Sequence, residues 1–251
     1  MSRFESATIA DRVDITGDLA IFRIASQTRL DFIPGQFATI AIEESGRLLQ
    51  RAYSIVSAPH ENLLEFFIEL VPGGLLTPRL WQLEPGDKLL LRNQAAGAFL
   101  LDDASGLRRH LMIATVTGAA PFISMLRTYA FGLSNGLSSD LNFILLHGAS
   151  HAIEFGPYLD ELSALSREGW LTYVPTVSRP WDTPDWSGEV GRVDDILRKY
   201  ADTLGYESTS SIAYACGHPI MIQNARAILS RAGYSKRQIH VEKYFTIKQG
   251  R

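Results

Sequence analysis

Apolar positions along the chain follow two rhythms. Over residues 5 to about 100 they gather in short β-type runs, LAIFRI, QFATIAI, AYSIV, LLEFFIEL and DKLLLRN, separated by the turn signals PGQ, VPGG and EPGD. Strands at this spacing, with no helix between them, predict an antiparallel barrel or sandwich. Only LTPRLWQL, at 76–83, reads as a short helix in this half.

After about residue 105 the pattern changes. The strand-like runs HLMIATV, LNFILLHG, LTYVPTV, SIAYAC and IHVEKYF alternate with the amphipathic segments PFISMLRTYAF, PYLDELSAL, VDDILRKYADTL and PIMIQNARAILSRA. Pro121, Pro157 and Pro219 stand where first helical turns should begin, and Gly132, Gly205 and Gly233 where helices should end. Alternation of this kind predicts an α/β doubly wound parallel sheet. The chain thus reads as two domains, an antiparallel β-barrel over 1–104 and an α/β domain over 105–251, with the boundary in LLDDASGLRRH.

Composition narrows the function. Of 251 residues, 46% are hydrophobic and 20% charged, the balance of a globular protein with a sizeable core. The formal net charge of −3 argues against a general nucleic-acid binder, so any anion recognition is local. Cys216 is the single cysteine, which excludes an intramolecular disulfide, a thiolate zinc cluster and a four-cysteine iron–sulfur centre. No apolar stretch approaches the ~20 residues of a membrane span. The N-terminal MSRFESATIADRVD lacks the apolar core of a signal peptide, so a cytoplasmic location is expected.

Open parallel sheets bind ligands at the carboxyl ends of their strands. The loops there are TVTGAAP (115–121), HGASHAIEFG (147–156), SRPWDTPDWSGEVGR (178–192) and CGHP (216–219). The first is either a phosphate loop or a tight strand-to-helix turn, and it lacks the spacing of a dinucleotide-fold glycine fingerprint. Arg179 and Arg192 are either a phosphate clamp or solvated cations. Cys216 is either packing or part of a ligand site, and for His147 and His218 a hydrogen-bonded or solvated ring is the default reading. In the barrel half, RAYSIVSAP at 51–59 puts Arg51 and Tyr53 on one strand face and Ser54 on the other.

In order along nearly the whole chain, PGQF, RAYSIVSAP, GGLLTPRL, TVTGAAPFISML, VSRP, GRV, CGHPIMI and VEKYF resemble the ferredoxin–NADP⁺ reductase superfamily, most closely its bacterial ferredoxin/flavodoxin–NADP⁺ reductases. The resemblance implies tightly bound FAD, NADP(H) as co-substrate, and an acidic ferredoxin or flavodoxin as electron carrier to a monomeric enzyme. Arg51 would pair with the FAD pyrophosphate, Tyr53 pack on the flavin and Ser54 bond near its redox-active nitrogen. Gly73, Gly74, Leu75 and Leu76 would lie along the pyrophosphate, with Thr77 donating its hydroxyl and Thr115 contacting FAD. Thr117, Gly118 and Ala119 would approach the NADP(H) pyrophosphate, and Arg179 and Arg192 its 2′-phosphate. Cys216 and Gly217 would lie where nicotinamide meets flavin, with Glu242 nearby and Tyr244 over the flavin face. Ser54, Cys216, Glu242 and Tyr244 make up the expected catalytic set.

Arg79, Lys88, Arg92, Arg108 and Lys243 are the candidate docking cations, chosen by their closeness in sequence to these elements. The rival readings are the reductase component of an oxygenase and a non-enzymatic flavin-bound redox sensor. Three departures from the family pattern stand out: Val116 replaces a glycine of its GTG loop, Ser150 replaces an arginine, and TIKQGR follows the terminal aromatic pair.

Overall fold

The structure is a computed structural model that describes residues 3–244. The chain forms two compact units. Residues 3–101, joined by Ala120–Phe131, make the first, and Asp102–Ala119 with residues 132–244 makes the second.

The first unit contains β1 (Phe4–Thr16), β2 (Leu19–Ser26), β3 (Phe37–Glu44), β4 (Arg47–Ser54), β5 (Leu64–Glu69), the one-turn helix α1 (Thr77–Leu80) and β6 (Lys88–Arg92). The strands form one antiparallel sheet in the order β4-β3-β6-β1-β2-β5. The two end strands meet where Val56 N–H, just past β4, donates to the Glu65 carbonyl of β5 at 2.8 Å, which curls the sheet into a barrel. Inside lie Phe22, Ile24, Ile40, Phe66 and Leu91. Glu65 is also buried, paired with Arg23 at 2.7 Å and with Arg127 at 3.0 Å. The helix expected over 76–83 is shorter than its sequence pattern, and the AYSIV strand starts and stops earlier, at Arg47 and Ser54.

The second unit carries β7 (Arg109–Thr115), then α2 (Ala120–Ser134), whose residues up to Phe131 belong to the first unit, and β8 (Asn142–Ala149), α3 (Tyr158–Ser166), β9 (Leu171–Val177), β10 (Glu189–Val190), α4 (Val193–Thr203), β11 (Ser211–Gly217), α5 (Pro219–Arg231) and β12 (Ile239–Lys243). The sheet is parallel throughout, in the order β10-β9-β8-β7-β11-β12. Chain direction across the sheet reverses at β7, so the carboxyl ends of β7, β8 and β11 border the crevice where open α/β sheets take ligands. Leu111, Ile113, Ile144, Leu146 and Ala213 pack one face against Leu197 of α4 and Ile222 of α5.

Gly205 (φ 66°) and Gly233 (φ 90°) follow α4 and α5 as expected. Gly132 does not end α2. A Cβ there would come 2.9 Å from Leu137, so the glycine admits that side chain while the helix runs on to Ser134. Among the described residues no helix is long and apolar enough to cross a membrane.

Candidate FAD and coenzyme sites

In the first unit, β4 is an end strand of the sheet, paired only with β3, and it exposes Arg51. The guanidinium donates to the Gln50 carbonyl at 2.7 Å. Tyr53, on the same face two residues on, is packed against the barrel core. Burial holds its phenol protonated, and the charge of Arg51 is near enough to pull the other way. Ser54 is buried opposite Phe37 of β3.

The loop after β5 makes a tight turn in which Gly74 N–H donates to the Val71 carbonyl at 2.8 Å. A Cβ on Gly74 would lie 2.9 Å from that oxygen, whereas Gly73 has open space around it. Leu75 is exposed and Leu76 buried. The Thr77 hydroxyl donates to the Val71 carbonyl (3.2 Å) and accepts from Val71 N–H (3.0 Å), so it closes the turn on itself.

In the second unit two strand-end turns lie back to back. After β7, Val116–Ala119 form a single 3-10 turn leading into α2, with Thr117, Gly118 and Ala119 buried. A Cβ on Gly118 would sit 2.3 Å from the Cys216 carbonyl. At the end of β11, Gly217 (φ 119°) is equally tight, because a Cβ there would come 2.3 Å from Thr115 Oγ1. That oxygen accepts from His218 N–H at 2.9 Å, which ties the two turns together. His218 in turn caps α5, its Nδ1 accepting from Ile220 N–H at 3.2 Å.

Cys216 is fully buried. Burial pushes its thiol well up, the Glu242 carboxylate in the facing strand pushes the same way, and a hydrogen bond with Tyr244 opposes them. Tyr244 continues β12 past Lys243: its N–H donates to the Gly217 carbonyl at 3.2 Å and its hydroxyl to the Thr117 carbonyl at 3.3 Å. The strand ends thus bring Thr117, Gly118, Cys216, Gly217 and Tyr244 into one cluster. The TIKQGR tail from Thr246 lies outside the described residues.

Arg179 and Arg192 are both exposed beside the end of β9. Arg179 N–H donates to the Ser150 carbonyl at 3.0 Å, and Gly191, next to Arg192, donates to the Val177 carbonyl at 2.8 Å. Arg192 Nε also lies 3.4 Å from Asp194.

Sequence reasoning overlooked the carboxylates here. Glu154 accepts from Ser150 N–H at 2.8 Å and pairs with His151 at 2.9 Å, and Asp182 lies 3.4 Å from the other His151 nitrogen. The Glu154 bond raises the His151 pKa. Its only sequence signal was the i, i+3 spacing of His151 and Glu154 on a loop.

Residues 6–98 match the family model described as an oxidoreductase FAD-binding domain, and residues 112–227 the one described as an oxidoreductase NAD-binding domain. The flavodoxin/ferredoxin–NADP reductase of Escherichia coli (strain K12) is 32% identical over 201 residues, 78% of each chain. The ferredoxin–NADP reductase of Pseudomonas aeruginosa is 32% identical over 230 residues, 84% of this chain and 83% of the relative. Among solved structures, a ferredoxin NADP⁺ reductase from Neisseria gonorrhoeae with bound FAD and NADP superposes with a TM-score of 0.85 at 26% identity, over 98% of this chain and 100% of that one. An FAD-binding half followed by an NAD-binding half, with relatives at this identity along most of its length, means that the chain belongs to the flavodoxin/ferredoxin–NADP reductase family.

Proposed function

We propose that this protein is a ferredoxin/flavodoxin–NADP⁺ reductase, which exchanges a hydride with NADP(H) and single electrons with a ferredoxin or flavodoxin. The observation that carries this reading is the cluster of Thr117, Cys216 and Tyr244. A turn suited to a coenzyme pyrophosphate, a neutral buried thiol and a terminal aromatic residue are joined there by hydrogen bonds. A scaffold kept only for sensing or assembly has no need of that cluster.

The residues present fit FAD. An exposed guanidinium and a partly covered phenol share one face of β4, and beyond β5 lies a glycine turn whose Gly73 leaves backbone approachable. Arg51 would hold the pyrophosphate and Tyr53 the flavin ring, with Ser54 a neutral donor beside it. Bound FAD supplies the conversion between two-electron and one-electron transfer. The protein's own part is to orient and to exclude water. Thr117, Gly118 and Ala119 receive the coenzyme pyrophosphate, Arg179 and Arg192 the 2′-phosphate. Cys216, held as a buried thiol, keeps the strand end that would face the nicotinamide free of an ionised sulfur, and Tyr244 governs access to the flavin.

Of the candidate docking cations, three are engaged within the protein. Arg79 forms a two-pronged pair with Glu44 (3.2 and 2.8 Å), Arg92 donates to Gln50 at 2.9 Å, and Arg108 lies 3.4 Å from Asp140. Lys88 and Lys243 are exposed. The test is to reduce the FAD-loaded protein with NADPH and mix it with purified ferredoxins and flavodoxins in a stopped-flow spectrometer. Reduction of at least one carrier well ahead of the oxygen reaction is expected. Reduction of none would sink the carrier assignment and favour a dedicated oxygenase partner.

A further inference from the structure

Among the described residues, two that are not glycine have positive φ, Ser45 at 52° and Val116 at 40°. Ser45 lies with Gly46 in the hairpin between β3 and β4, where such angles are ordinary. Val116 is β-branched, and in the left-handed region its side chain crowds its own backbone, so a contact outside the residue must hold it there.

A buried hydrogen bond supplies that contact. His147, fully buried in β8, has Nε2 2.9 Å from the Val116 carbonyl. A carbonyl can only accept, so Nε2 carries the proton. Burial pushes the imidazole down to about 4, which leaves the ring neutral and Nδ1 an acceptor. Nδ1 lies 3.2 Å from the Tyr173 hydroxyl of β9, which therefore donates. Phe155 packs edge-on against the imidazole, with ring centroids 4.8 Å apart, and fixes its plane. A relay thus runs from β9 through β8 to the turn that ends β7.

We propose that His147 is a positioning residue for coenzyme binding, holding the turn after β7 in the strained form that receives the pyrophosphate, with Tyr173 fixing the tautomer that lets it do so. This rests on the reading of Thr117–Ala119 as the pyrophosphate turn. No peptide among the described residues is cis, so the Val116 carbonyl and the Thr117 N–H point in opposite directions, and holding one aims the other. Released from His147, Val116 relaxes to negative φ and that peptide rotates. The pyrophosphate is common to both nicotinamide coenzymes, so the effect falls on NADPH and NADH alike, unlike the loss of a 2′-phosphate arginine.

The experiment compares FAD-loaded wild type, His147→Leu, Tyr173→Phe and the double variant His147→Leu/Val116→Gly. NADP⁺ binding is followed by calorimetry, and kcat and KM are measured with both coenzymes. His147→Leu should weaken NADP⁺ about fivefold to tenfold, the effect of one hydrogen bond, and raise KM for both coenzymes with a smaller change in kcat. Glycine adopts positive φ without strain, so adding Val116→Gly should restore most of the affinity. A merely structural histidine would not be rescued this way. Should His147→Leu fail to fold, Tyr173→Phe carries the test and should show a smaller loss of the same kind. Unchanged binding in the folded variants, or a double variant as weak as His147→Leu, overturns the assignment. A wild type that binds no nicotinamide coenzyme overturns the function reading itself, and this assignment with it.

Discussion

Arg51, Arg179 and Cys216 are single residues whose chemistry the proposed function makes measurable. The Arg51 guanidinium is exposed on an end strand, so replacing it with Ala leaves the barrel core intact and removes, besides its bond to the Gln50 carbonyl, what it offers a ligand. With ~1.5–3 kcal/mol per hydrogen bond to a charged group, FAD should dissociate ten- to a hundredfold more readily, measured as flavin fluorescence released on dilution. Arg179 is exposed too, and Arg179→Ala should raise the NADPH KM by a similar factor while NADH kinetics barely move. Equal losses with both coenzymes would mean that this arginine holds the loop or the pyrophosphate. The carboxylates of Glu154 and Asp182 around His151 are the specific reason to measure that ratio here. Cys216 makes the opposite kind of test. Its thiol is buried beside a carboxylate and its pKa lies well above the ordinary value, so thiol reagents at pH 8 should leave it unmodified until the chain is unfolded. Prompt labelling of the native protein would show that the β11 end opens.

At the scale of elements, the turns after β7 and β11 are built as one piece. Gly118→Ala would drive a Cβ to 2.3 Å from the Cys216 carbonyl, a backbone atom that cannot swing aside. Overpacking of this kind costs ~1–3 kcal/mol. The expected outcome is a lower melting temperature together with weaker NADP⁺ binding, whereas a variant with wild-type values in both would show that the turns can separate. This coupling was invisible in the sequence, because the contacting glycines lie far apart along the chain. What was legible had a period. The central strands β7, β8 and β11 of the second unit are buried on both faces and read as continuous apolar runs, and the loops at the strand ends carry most of the candidate site. Strand β1 is hard to read in the sequence because only Ala7 and Ile9 of its 13 residues are buried, the rest being exposed or half-exposed. That the Thr77 hydroxyl meets the Val71 carbonyl was not legible either, because a residue type announces what it can donate and not which neighbour lies within reach. His147 was given its default reading as a hydrogen-bonded ring, and the bond exists, but that it restrains a strained valine needed coordinates.

For the molecule as a whole, pH and salt act through different charges. His110 and His147 are buried and depressed from 6.5 to about 4, so the unfolded chain takes up protons before the folded one does. Stability they contribute is therefore complete above about pH 6.5 and drains away as pH falls toward 4, by roughly 3 kcal/mol for each ring at the full shift. Melting temperature should fall steeply across that window, and less steeply in a variant lacking one of the rings. Salt bears instead on the carrier. The net charge is −3, yet residues 208–241 contain no Asp or Glu and include Arg226, Arg231, Lys236 and Arg237, with Lys243 just beyond. These belong to α5, the turn after it and the edge strand β12, so this stretch of an acidic chain is basic apart from Glu242. Attraction of an acidic carrier to such a stretch acts mainly on the association rate and is screened over ~8–10 Å at physiological salt. Carrier reduction should therefore slow as ionic strength rises, and Arg226→Glu together with Lys243→Glu should flatten that dependence and lower the rate at low salt. The step from NADPH to the flavin should change less with salt in both proteins. A carrier rate as steep in salt for the double variant as for the wild type would move the docking surface elsewhere, with Lys88 the next exposed cation to test.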